Sequence, residues 1–197
     1  LLALSGCAGQ AARLPIPPLI DAAKRGQAID LTAQAGEMRF VDGGVSATAG
    51  FNGVFLGPTL RVSSGHDVQV SVANQLTEGT TVHWHGLLVP SAVDGGPHNH
   101  IAPGQTWRPV LPVRQAASTI WYHAHPHPGT GAQVYAGLAG MMIVTDAEEQ
   151  ALDLPSEYGV DDLPLILQDR QFDQVGRMVY PSDRPSIMHG VRGEVIL

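Results

Sequence analysis

Residues 67–74 read Asp67-Val68-Gln69-Val70-Ser71-Val72-Ala73-Asn74, and from Val68 to Val72 apolar and polar residues strictly alternate. Successive side chains of a strand point to opposite faces, so this segment predicts a strand with one face in a core. Working outward, short β-rich or alternating runs recur at 28–35, 38–41, 60–62, 80–85, 106–111, 118–123 and 138–145, separated by Gly, Asn and Pro. About eight strands at this spacing predict an all-β chain, an antiparallel sandwich or barrel. There is no βαβ rhythm.

Composition agrees. The chain has 197 residues, 44% hydrophobic and 15% charged, with 23 glycines and 15 prolines scattered without a period. That is the make-up of a globular protein with many turns, neither collagen nor a helical bundle. Eleven basic against 18 acidic residues give a formal charge of −7. With no basic run to neutralise phosphates, a nucleic-acid partner is not expected. No apolar stretch reaches the roughly 18–20 residues of a membrane span. The length allows one domain and part of a second.

Three segments follow from these shifts. Residues 1–27 read as a leader and linker, with Pro15, Pro17 and Pro18 inside it. The opening Leu1-Leu2-Ala3-Leu4-Ser5-Gly6-Cys7 resembles the end of an export signal, and its last four residues resemble a bacterial lipobox with Cys7 as the lipidated residue. An ordinary small-residue cleavage site with an incidental cysteine reads the same stretch. The expected location is the cell envelope or periplasm, with a lipid anchor if Cys7 is acylated. Residues 28–148 form the first domain, ending at Asp146-Ala147-Glu148-Glu149. Residues 149–197 are too few for a separate domain of this kind and are expected to open a second one that continues beyond Leu197.

Histidine carries the chemistry. Seven of the nine histidines fall between His83 and His127, and two patterns stand out: His83-Trp84-His85-Gly86 and Trp121-Tyr122-His123-Ala124-His125. On a strand, residues i and i+2 share a face, so each pair offers two imidazoles side by side while Trp84 and Ala124 point the other way. Two non-adjacent strands of a Greek key could bring the pairs together. Four imidazoles with neither thiolate nor carboxylate suit copper first, then zinc, then iron. The lone Cys7 excludes an internal disulfide and a cysteine-based zinc or iron–sulfur cluster.

The run Thr81-Val82-His83-Trp84-His85-Gly86-Leu87, with Val93-Asp94-Gly95-Gly96-Pro97, Trp121-Tyr122-His123-Ala124-His125 and Gly137-Leu138-Ala139-Gly140, resembles the first domain of bacterial multicopper oxidases. The likeness is to the laccase-like and copper-efflux branch and runs from about residue 30 to 175. It implies a Greek-key, plastocyanin-like cupredoxin domain followed by an incomplete second one. It implies that the first and third cupredoxin domains each give four histidines to a trinuclear copper cluster, where O2 is reduced to water while phenols or metal ions are oxidised. By position, His83 would ligate the type 2 copper and His85, His123 and His125 the type 3 pair. Asp94 matches an acid that assists proton delivery there, although Asp94-Gly95-Gly96-Pro97 also reads simply as a turn.

The remaining histidines carry no assigned role. His98 and His100 lie in a Pro/Gly/Asn loop and are expected to face solvent. His127 sits between Pro126 and Pro128, suited to support or exposure rather than ligation. His66 lies in a turn and His189 in the incomplete second unit, while Met141 and Met142 are expected in the core. A type 1 copper site needs a cysteine thiolate with two histidines, and Cys7 is remote from every histidine in sequence. With half of the cluster's ligands, this chain alone is expected to be inactive; a facing cupredoxin domain or another subunit would complete the enzyme. A non-catalytic copper-binding module is the alternative function. A cupin-type mononuclear metal enzyme is disfavoured by the second His-x-His.

Overall fold

A computed structural model describes residues 14–190 and 192–197. The alternation at 67–74 produces the expected strand: β5 (Asp67–Asn74) buries Val68, Val70 and Val72 on one side and turns Asp67, Gln69 and Ser71 outward. Beside it lie β2 (Ala28–Met38) and then β3 (Ser46–Phe51). On its other edge are β7 (Thr106–Trp107) and β8 (Val110–Pro112).

The opposing sheet has the order β1 (Leu19–Asp21), β4 (Thr59–Ser63), β10 (Ala139–Thr145), β9 (Ser118–His123), β6 (His83–His85). The core lies between the two sheets, with Ile29, Leu31 and Phe51 from one and Leu60, Val62, Trp84, Tyr122 and Met142 from the other, all essentially inaccessible. Each such side chain contributes about 1.5–3 kcal/mol by leaving water. The fold is an all-β sandwich, and the two sheets do not close into a barrel.

Three sequence expectations need correction. The sandwich is mixed rather than antiparallel, because β1 and β10 pair parallel to β4, and β2 pairs parallel to β5. Strands joined through intervening strands of the other sheet return in the same direction, which a two-residue hairpin cannot achieve. The supposed linker is in part structural, since Leu19–Asp21 is an edge strand whose Ile20 is buried. Of the run at 38–41 only Met38 is in a strand, as the last residue of β2, and the next true strand is β3, Ser-Ala-Thr-Ala-Gly-Phe. Its small residues carry little β-propensity but fit a position where five of the six are buried.

After a short helix α1 (Thr130–Ala136) and a one-turn helix α2 (Ala147–Gln150), the chain builds a third sheet: β12 (Met178–Val179), β11 (Asp169–Phe172), β13 (Val195–Ile196). A last helix, α3 (Arg184–His189), connects its strands. This unit packs on the sandwich through Phe172 against Phe40, 6.0 Å between centroids, and through the Met178 N–H donating to Ser46 Oγ at 2.8 Å. No described helix is long and apolar enough to cross a membrane.

Candidate metal centre

The two His-x-His strands, not consecutive in the chain, are brought together as expected and pair directly. β6 and β9 run antiparallel with His83 opposite His123, Trp84 opposite Tyr122 and His85 opposite Trp121. Opposed residues share a face, so one register decides two things together. Trp84 and Tyr122 enter the core, both fully buried, and the histidines lie on the other face of the sheet, where His123 is covered and His85 exposed. Two anchors hold that register. The Tyr122 hydroxyl donates to Pro58 O at 2.7 Å, and burial holds this phenol well above the ordinary tyrosine value. Gly140 sits opposite Tyr122 on β10, where any Cβ would overlap the ring. Ala124 continues the alternation inward with no exposure, so His125 falls on the outer side just beyond the strand.

Ligand atoms of His83, His85 and His123 lie within 4.8 Å of one another. The His125 ring stands 5.4 Å from His83 and 5.6 Å from His123, centroid to centroid. Hydrogen bonds decide which nitrogens are free. His83 Nδ1 is 3.0 Å from Asp94 O and 3.2 Å from Asp94 Oδ2. His123 Nδ1 is 2.9 Å from Ala124 O. An oxygen acceptor at Nδ1 places the proton there and leaves the Nε2 lone pair for a metal. His125 Nδ1 faces Thr130 Oγ1 at 3.5 Å; that hydroxyl spends its hydrogen on Pro126 O and is left as an acceptor. His85 is turned the other way, with its Nδ1 3.2 Å from His123 Nε2.

The electrostatics favour neutral rings. Burial lowers the pKa of His123 from 6.5 to about 4, opposed by the hydrogen bond to Ala124 O and assisted by the nearby His83, His85 and His125. An imidazole that resists protonation keeps its lone pair available to a cation. Trp121, partly exposed, stacks on His123 at 4.1 Å and lies over His85 at 4.9 Å, walling one side. His85 itself is exposed, so the cluster is open on the other side. Converging nitrogens, a neutral buried member and oriented second nitrogens fit a copper ion better than a proton or a hard, oxygen-seeking cation.

Asp94 is both turn and partner. Its carbonyl accepts from the Trp84 N–H at 3.2 Å, and Gly95 follows with φ 80°, where a Cβ would run into the Val82 backbone. This close approach delivers the Asp94 carboxylate to His83. The loop histidines do not join the cluster: His98 and His100 are exposed, and His98 Nε2 bonds Ser91 O at 2.6 Å. His66, His127 and His189 are exposed as well. Met142 is in the core as expected, but Met141 is on the outer face beside Trp121. Cys7 lies outside the described residues. Sequence reasoning missed Thr81, whose Oγ1 accepts from the His125 N–H at 2.8 Å, and missed Thr130; neither has a spacing that marks it.

Comparison with known proteins agrees with this geometry. The family model described as "Multicopper oxidase" matches residues 32–149. Among solved structures, a laccase-like multi-copper oxidase CueO from the lignin-degrading bacterium Ochrobactrum sp. is similar with a TM-score of 0.85 and 46% identity, covering 93% of this chain and 41% of that one. A laccase from Pediococcus acidilactici superimposes with a TM-score of 0.83 and 37% identity, over 96% of this chain and 41% of its own. Cell division protein FtsP of Escherichia coli (strain K12) is 44% identical over 176 residues, 89% of this chain and 37% of FtsP. FtsP of Edwardsiella tarda (strain FL6-60) is 44% identical over 189 residues, 96% of this chain and 39% of its own. The chain thus spans about two fifths of the length of these relatives. With more than half of its residues under that family model and the imidazole cluster in place, this chain belongs to the multicopper oxidase family.

Proposed function

We propose that this chain is a copper-binding module whose four histidines form an open half-site, and that by itself it does not turn over O2. His83, His123 and His125 would bind through Nε2, their Nδ1 atoms facing oxygen partners, and His85 through Nδ1, an ion replacing its 3.2 Å contact with His123 Nε2. The observation that carries the reading is the convergence of three imidazole ligand atoms within 4.8 Å across the edge strand β6 and its neighbour β9, with His85 exposed. Copper held there by these residues would supply one-electron redox chemistry. The chain's own part is to orient. Asp94 would hold the His83 proton at Nδ1, and its carboxylate, 3.2 Å from that nitrogen, would serve as the acid that assists proton delivery.

A second reading covers the longer protein. The similarity to laccase-like oxidases favours an enzyme in which a further cupredoxin domain supplies the facing ligands, the His83 copper being type 2 and the other three histidines holding a type 3 pair. Phenols or metal ions would be the reductants. Residues 28–148 would then be the first cupredoxin domain and 149–197 the opening of the second. The similarity to proteins named cell division protein FtsP extends the proposal to a protein connected with cell division, exported to the cell envelope as its opening residues suggest. Cys7 would be the lipid attachment point.

Metal titration of the purified chain tests this. Copper should bind in preference to zinc, His83→Ala and His123→Ala should each lower occupancy, and a phenol or Cu(I) oxidase assay should show no activity. A chain that ignores copper overturns the module. Robust O2 turnover overturns the half-site.

A further inference from the structure

Helix α1 starts five residues after His125 and is gripped on two sides. On the inner side Gln133 is its one buried residue. Gln133 Nε2 donates to Gly79 O at 2.9 Å, and its Oε1 accepts from Thr80 Oγ1 at 2.7 Å. The next residue, Thr81, accepts the His125 N–H, and Thr130 at the start of the same helix faces His125 Nδ1. So the backbone and ring of His125 are both held by elements that Gln133 ties together.

On the outer side the grip comes from the third sheet. Arg170 on β11 is 6% exposed, and its guanidinium lies 4.3 Å from the centroid of the Tyr135 ring. Arg170 Nε donates to Tyr135 O at 3.2 Å, the Gln171 N–H donates to the Tyr135 hydroxyl at 2.8 Å, and Tyr180 meets the same ring edge-on at 5.2 Å. Among the described residues no carboxylate forms an ion pair with Arg170. Its charge is instead settled on the carbonyls of Tyr135 and Asp169, the Gln168 amide oxygen and an aromatic face. A buried guanidinium is costly to keep without a carboxylate, and here every group it meets holds α1 or β11.

We propose that α1 is a strut carrying the position of residues 169–180 to His125, with Gln133 and Arg170 as positioning residues of the metal centre. The inference rests on the copper-binding reading above. Metal ligands need placement within about 0.5 Å, and a seven-residue helix cannot hold that by itself. Coupling of this kind is reciprocal, so a metal that fixes His125 must also tighten the third sheet on α1.

The test uses the full chain with Gln133→Leu and Arg170→Met, each close to isosteric, and Val70→Ala as a control. Val70 is buried on β5 in the opposite sheet and lowers stability without touching α1. In metal-free protein, both variants should shift the His125 imidazole NMR resonances, and the control should not. With copper, both should lose about tenfold or more in Cu(II) affinity and change the EPR spectrum, the range expected for groups that orient a ligand. Copper should slow hydrogen exchange of the Gln171 amide in the parent chain and not in Gln133→Leu. Unchanged His125 resonances in both variants overturn the strut, whether or not copper binds. Shifted resonances in the variants, together with a parent chain that ignores copper, retain the strut and remove the copper-binding reading. If Gln133→Leu fails to fold, Arg170→Met carries the same readouts.

Discussion

Acidifying the metal-free protein should unmask the burial of His123. The residue is 5% exposed, and burial lowers its pKa from 6.5 to about 4. In the unfolded chain the same ring protonates near 6.5. Between these values the unfolded state therefore binds a proton that the folded state refuses, and stability falls as the pH falls. The loss begins near pH 6.5 and is complete near pH 4. At about 1.4 kcal/mol per pH unit, the full effect is about 3 kcal/mol. That is a large share of the roughly 5–15 kcal/mol that holds a typical domain together. The assay is urea unfolding of parent and His123→Gln chains, with a chelator present, across that pH range. The two stability curves should converge on acidification, because glutamine has no proton to gain, and an NMR titration of the His123 ring should show a midpoint near 4. Parallel curves, or a ring that titrates near 6.5, would refute the claim that the fold excludes this imidazole from water.

Asp94→Asn keeps the turn and removes the charge beside His83 Nδ1; copper affinity measured by chelator competition should fall about tenfold while the melting temperature barely moves. Tyr122→Phe deprives Pro58 O of its donor in a fully buried site. It should cost about 1–3 kcal/mol in denaturant unfolding. Gly140→Ala drives a methyl into the Tyr122 ring; about 2 kcal/mol or more is expected, a drop in Tm of about 4–8 °C by calorimetry at this chain length.

Much of the centre is legible along the chain because strand periodicity is local. His83 and His85, or His123 and His125, share a face wherever their strands lie, and Trp84 and Ala124 must then face inward. The same logic reads β5 and most of β9 and β10. It fails where burial is two-sided or residues are small. β3 has no alternation because both of its faces are covered, and α1, with one buried residue, shows no apolar stripe. Asp94 was recognisable from its motif, but its bond to His83 depends on how closely Gly95 lets the turn approach.

The linear order of residues determined the strand class, the shared face within each His-x-His pair and a nitrogen donor set suited to copper before zinc or iron. Only the folded chain decided that β6 lies directly beside β9 in the register that opposes His83 to His123, and that His85 Nδ1 meets His123 Nε2 while the Nδ1 atoms of His83 and His123 meet oxygen. It also decided that residues 169–180 hold His125 through a short helix. The physical reason is range. A side chain's face follows from its immediate neighbours, whereas register, tautomer and support depend on contacts between segments tens of residues apart, whose energies exist only after the chain has closed on itself.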